Sequence, residues 1–230
     1  MKTIVVSTPK SGTYLMRELL DNIGLHSSYL HITMTGIYDY SKVSLEEGRS
    51  NPYSCFTACS LKKSLSSIKD NSFALSHLPC TDRNIELLSD FNIIYLTRDI
   101  KESILSFMLF SINTGRANTK IDNIWLYEKD HKKQFLSYIK TRGASIVNKH
   151  KSILPWIEQR NVNIFNFKNL IKYPYEEVDR LANILGIYPT KAEIEKIIAD
   201  SYGKETITSS PKHKIDYWSK EAHNEIEKLL

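Results

Sequence analysis

Lys10, Ser11, Gly12 and Thr13 stand together in PKSGT, close to the start of the chain. They combine an ammonium, two hydroxyls and a glycine that lets a ligand approach the backbone closely. Such a set suits a phosphate or sulfate group. The lysine lies before the glycine, which separates the stretch from the G-x-x-x-x-G-K-[ST] loop of nucleotide-binding proteins. Arg98 and Ser106 form a second candidate pair in RDIKESILS. A guanidinium fork matches phosphate oxygens, and a serine about two helical turns further on adds a hydroxyl. The plainer alternative is an ion pair at a helix start and a buried serine. His77, before Leu78 and Pro79, is the third candidate. An imidazole can take a hydroxyl proton near neutral pH, although a lone histidine is more often structural.

The elements around these residues would place them at one edge of a sheet. Thr3 to Val6 is an apolar, β-branched run of the kind found in buried parallel strands. Leu15, Leu19 and Leu20 then recur at helical spacing with Met16 beside them, and Gly24 supplies a helix stop. Strand, loop and helix in that order aim unpaired N–H groups and the positive end of a helix dipole at one point. Phe73–Ser76 reads as a short strand ending just before His77. Phe91–Thr97 reads as the clearest central strand and ends at Arg98, with a helix over Ile100–Phe110.

Residues Ser27–Asn71 show little periodicity. The expectation there is irregular structure with one helix near Cys59–Ile68, either shaping a substrate pocket or forming a surface insertion. Further expectations are a helix over Arg83–Leu88, a polar loop over Gly115–Asp122, and helices over 124–140 and 144–159. A strand over Val162–Phe167 follows, then helices over Val178–Leu185 and Ala192–Ala199, a basic loop over Gly203–Asp216 and a final helix over Tyr217–Leu230. The alternation predicts one α/β domain over residues 1–230, a parallel sheet with helices on both faces.

Length and composition agree with this. The 230 residues, 41% hydrophobic and 25% charged, suffice for one sizeable core. A net charge of +5 fits a small polyanionic ligand and falls short of a nucleic-acid-binding surface. Cys55, Cys59 and Cys80 lack a second pair at metal-ligand spacing and read as reduced thiols. No apolar run approaches the ~20 residues of a membrane span, so a cytoplasmic protein is expected.

The PKSGT loop after its strand resembles the 5′-phosphosulfate loop of sulfotransferases that use 3′-phosphoadenosine 5′-phosphosulfate (PAPS). YLTRDIKESILSF resembles that family's 3′-phosphate motif, and Ser76-His77-Leu78-Pro79 its T-H-L-P segment. The resemblance implies a three-layer P-loop-type fold, PAPS as donor and no metal. It implies that Lys10, Ser11, Gly12, Thr13 and Tyr14 hold the 5′ end, and that Arg98 and Ser106 hold the 3′-phosphate. His77 would be the catalytic base and Lys10 a catalytic cation. The acceptor would be a hydroxyl or amine of a small molecule or glycan.

Departures are visible. Leu75 stands where the family has a lysine, Leu15 where it has an aromatic residue, and Phe167 where a tyrosine contacts adenine. Before Trp218 the family's basic loop is reduced to Lys212 and Lys214, of which Lys212 falls on the family lysine. Two other readings remain open from sequence: a P-loop small-molecule kinase, which would want its lysine after a second glycine, and a non-catalytic nucleotide-binding relative. Tyr29, Tyr38, Tyr40 and Tyr53 would suit a sugar or aromatic ring, but do not name an acceptor.

Overall fold

In the computed structural model, which describes residues 1–114, 123–204 and 216–230, the N-terminal run lies in the middle of the sheet. Strands Thr3–Ser7 (β1), His26–Ile32 (β2), Gly36–Asp39 (β3), Phe56–Ala58 (β4), Ser72–Ser76 (β5), Asn92–Thr97 (β6) and Val162–Asn166 (β7) order as β4-β3-β2-β5-β1-β6-β7. β2, β5, β1, β6 and β7 run parallel, while β3 and β4 pair antiparallel at one edge. The fold is therefore the expected α/β sheet, with an antiparallel edge that the sequence does not announce.

Side-chain alternation divides the core into two layers, as a period of two requires. Val5, Phe73, Leu75, Ile94, Leu96 and Phe165 face helices Thr13–Ile23 (α1), Pro174–Ile184 (α9) and Lys191–Ser201 (α10). Ile4, Val6, Ala74, Ile93 and Tyr95 face the other way, onto Leu61–Ser66 (α3) and the end of Ala144–Ile153 (α7) with Trp156. Burying both faces of β1 is what makes its apolar run continuous rather than alternating. A third cluster joins Ile100–Asn113 (α5), His131–Tyr138 (α6), α7 and Lys220–Leu229 (α11) around Met108, Trp125 and Phe135.

Two expectations need correction. Ser27–Asn71 is not mostly irregular: it carries β3, β4 and most of β2, with helices Leu45–Ser50 (α2) and α3. These strands are three to seven residues long and rich in Ser, His and Tyr, so pairing rather than hydropathy defines them. The helices over 124–140 and 144–159 are one body. A 3₁₀ turn at Ile124–Tyr127 precedes α6, a π turn over Ile139–Gly143 carries it into α7, and a 3₁₀ turn follows at Leu154–Glu158. Helices Asp82–Leu87 (α4) and Phe167–Lys172 (α8) are the other α-helices among the described residues, and α9 starts four residues before its amphipathic stretch, at Pro174.

Candidate functional site

Parallel strands bring their C-terminal ends to one edge, and every described candidate is positioned from there. The loop Thr8–Gly12 leaves β1, His77 leaves β5, Arg98 leaves β6 and Phe167 leaves β7, from four neighbouring strands. This is the edge at which open α/β sheets take ligands.

The loop is tied down from beneath. Thr8 N–H donates to Leu96 O at 3.1 Å. The Ser11 hydroxyl, fully buried, donates to Thr8 O at 2.5 Å and to Leu96 O at 3.2 Å. The sequence suggests this hydroxyl as an anion donor; instead it is turned inward and fixes the loop on β6. Thr13 Oγ1 likewise pairs with Ser7 Oγ at 2.8 Å. Lys10 and Gly12 both take left-handed backbone conformations, with φ of 66° and 92°. Gly12 N-caps α1 with no side chain closing the helix start, whereas α5, α6, α10 and α11 are capped by Asp99, Asp130, Thr190 and Ser219. The start of α1 is thus left without a side-chain cap. That helix start suits an anion. Tyr14 is buried, edge-on to Tyr40 at 6.3 Å and 5.5 Å from the Arg17 guanidinium, so its side chain packs away from this point.

Arg98 reaches across to the same loop. Its Nη1 donates to Lys10 O at 3.1 Å and its Nε to Glu102 Oε2 at 2.9 Å. Its guanidinium lies 4.5 Å from the centre of the Phe167 ring. Phe167 in turn covers Gly12: a Cβ built there would fall 2.4 Å from Phe167 Cδ2. Phe167 is therefore partly exposed and already stacked, one contact on Arg98 and one on the loop. Glu102, Ser106 and Phe110 share one row of α5 at i, i+4, i+8 spacing. Arg98 meets the first of these, and the Lys10 ammonium lies 4.3 Å from the ring of the last. Ser106 lies between them on that row and is half-buried. Lys212 and Lys214, and the loop over residues 115–122, lie outside the described residues.

His77 is held from β1. Its Nδ1 lies 2.8 Å from Ser7 O and 3.1 Å from Ser7 Oγ. A carbonyl only accepts, so Nδ1 carries the proton and Nε2 keeps a lone pair. Burial, reinforced by the Lys149 and Lys10 charges, lowers its pKa to about 4, and the Ser7 bond offsets only part of this. The segment after it is clasped by the end of α7: Trp156 Nε1–H donates to Leu78 O at 3.0 Å and Cys80 N–H to Ser152 O at 2.8 Å. Leu75 lies in the core and presents no charge. The cations that act on the His77 ring are instead Lys10 and Lys149. Burial also lowers the Lys149 pKa.

Sequence reasoning passed over Lys149 and His31. His31, on β2, packs its imidazole 4.6 Å from that of His77 at an interplanar angle of 63°. Burial first, then His77 and Lys149, hold His31 well below the usual imidazole range. No sequence signal marks His31, because its nearness to His77 arises only from the pairing of β2 with β5. Among the described residues no helix is long and apolar enough to cross a membrane, and the three cysteines are free.

Chemically, the edge offers an uncapped helix start, two cations from different strands and a neutral imidazole with a defined lone pair. Such a set can fix an anionic donor and accept one proton. Known structures share this arrangement of elements. A retinol dehydratase bound to androsterone and the inactive cofactor PAP is similar at 14% identity over 99% of this chain and 79% of its own, with a TM-score of 0.62. The same enzyme type bound to retinol and PAP matches at 15% identity, with the same coverage and TM-score. A mouse sulfotransferase complexed with PAP matches at 14% identity over 99% of this chain and 81% of its own, with a TM-score of 0.60. No curated protein matches the sequence. The family model described as the sulfotransferase domain matches residues 1–229, and the chain belongs to that family.

Proposed function

We propose that this sulfotransferase uses PAPS as donor and moves its sulfuryl group to a hydroxyl, or an amine, of a small molecule or glycan. The observation that carries the reading is the meeting of the loop, His77, Arg98 and Phe167 at the ends of four adjacent parallel strands. The solved relatives carry PAP, and two of them carry androsterone or retinol, which supports a nucleotide donor and a small hydroxylated acceptor. We also take the chain to act as a single domain, in the cytoplasm and without a metal.

PAPS supplies an activated sulfuryl group on a phosphate leaving group. The N–H groups at the start of α1 and the Lys10 ammonium hold the 5′ end. Arg98 and Ser106 hold the 3′-phosphate, with Lys212 as a further cation and Phe167 against the adenine. His77 Nε2 accepts the acceptor's proton as its oxygen attacks sulfur in line. The S–O bond to the 5′-phosphate breaks, its electron pair stays on the phosphate oxygen, and Lys10 neutralises the charge that develops there. Positioning and preorganised charge supply the rate enhancement.

Titration calorimetry with adenosine 3′,5′-bisphosphate tests the donor. Arg98→Ala is expected to weaken binding about 10- to 150-fold, the worth of a charged hydrogen bond. ATP with Mg²⁺ should bind neither protein. Preference for ATP, or equal binding by both proteins, sinks the reading. Glu102→Gln releases Arg98 Nε from an exposed carboxylate, so bisphosphate binding should tighten by up to about fivefold, the worth of a surface ion pair. Weaker binding by that variant would mean Glu102 orients Arg98 rather than competing for it.

A further inference from the structure

We propose that His31 is a positioning residue for His77: its ring, packed edge to face against the base from the neighbouring strand, fixes the plane of the imidazole and keeps water from it. Three independent features point there. The rings are in contact, 4.6 Å between centroids and 63° between planes. His77 is thereby fixed twice, by the Nδ1 bond to Ser7 O and by the His31 ring.

His31 is 8% exposed, and its Nδ1 is buried without a hydrogen-bond partner among the described residues. A buried, unsatisfied ring nitrogen is unfavourable, and an apolar side chain would avoid it. Leu75, its cross-strand partner on the same face, is apolar and buried. Stability alone therefore gives no reason for an imidazole beside it.

The strand is also distorted to bring this residue into place. β2 advances from Ser27 to His31 while its partner advances only from Phe73 to Leu75. In regular register Tyr29 would lie opposite Leu75. The irregularity is carried by Tyr29 itself, whose φ of 56° is left-handed and unfavourable for a tyrosine. Irregularities of this kind re-aim side chains next to active sites. Here the effect is to set His31 opposite Leu75, two residues before His77.

The pair lies in a field of cations. Ser7 of β1 contacts His77, the loop adds Lys10, and α7 adds Lys149, which acts on both rings. Burial and these two cations oppose a proton on either ring, so the ring contact joins two neutral imidazoles. The His31 ring then works through shape and water exclusion rather than through its own charge.

The proposal rests on His77 being the base, but its test reads His77 directly. Imidazole ¹H–¹⁵N spectra of wild type should show the Nδ1–H tautomer and titration near the acidic end of the histidine range. His31→Ala opens space that water fills, so the His77 pKa should rise by about one unit or more toward its ordinary value. His31→Phe keeps a ring and should keep the wild-type titration. If His31→Ala does not fold, His31→Leu takes its place and should rise likewise. In turnover, the Ala or Leu variant should lose kcat ~10-fold or more, with acceptor KM unchanged and kcat restored in His31→Phe. An unchanged His77 titration in the Ala or Leu variant overturns the proposal, and so does a His31→Phe titration that moves as far as theirs. Full activity in His77→Ala would instead remove the base and leave the spectroscopic result about His31 standing.

Discussion

Replacement of His77 by alanine is expected to lower kcat by ~10²–10⁴ while leaving the affinity for adenosine 3′,5′-bisphosphate within about twofold of wild type. The two halves of this expectation come from separate parts of the structure. In the proposed reading the donor is held by the loop after β1, by Arg98 after β6 and by Ser106 on α5. The proton acceptor belongs to β5 and is oriented through Ser7 O. A pH profile adds a sign. With a pKa of about 4, His77 is neutral at every pH above that value and protonated below it. The rate kcat/KM should therefore hold down to about pH 5 and fall as pH drops through 4, and this limb should vanish in His77→Ala. A limb centred near 6.5 would show that the ring is solvated in the working enzyme. A fall in bisphosphate affinity equal to the fall in rate would show that His77 supports the loop rather than the chemistry.

The second large effect concerns Gly12. Alanine there must adopt φ near 92°, a conformation that costs an L-residue ~1–2 kcal/mol. Its Cβ would also fall within 2.6 Å of two Phe167 ring atoms, so the ring must move and leave the Arg98 guanidinium. Displacing a packed side chain adds ~1–3 kcal/mol. Gly12→Ala should lose about 2–5 kcal/mol in urea denaturation and bind the bisphosphate weakly. The double variant with Phe167→Ala separates the terms. It removes the clash and keeps the backbone strain, so the two changes should be strongly non-additive. Additive losses would mean that Phe167 does not control the loop.

Much of this site was legible from sequence because chemistry and backbone constraint coincide in a few residues. PKSGT, Arg98 and His77 each stand directly after an apolar run, and a parallel strand converts that adjacency into a shared edge. What stayed hidden depends on contacts between distant segments. Nothing in HSSYLHI marks a strand: its hydropathy is mixed, and β5 on one side and β3 on the other define it. His31 was invisible for the same reason, since its value lies in facing His77 across two strands. Ser11 misled because a hydroxyl in a polar loop looks available, while the carbonyls of Thr8 and Leu96 beneath it cannot be read from sequence. Leu75 stands in the core, and the charge of Lys149 acting on His77 and His31 depends on a long-range contact with α7 that the sequence does not announce.

The hydrogen bonds from Thr8 and Ser11 to Leu96 have a consequence for the order in which the protein folds. The loop lies within residues 8–13, yet its anchor is a carbonyl more than eighty residues further along the chain. β1 is central, so both its neighbours, β5 and β6, must also arrive before it has partners. Until those strands form, β1 is an apolar strand with no sheet to join. Closing that long loop is a late, entropically expensive event. The anion cradle and the middle of the sheet should accordingly appear together, in one cooperative step with β6.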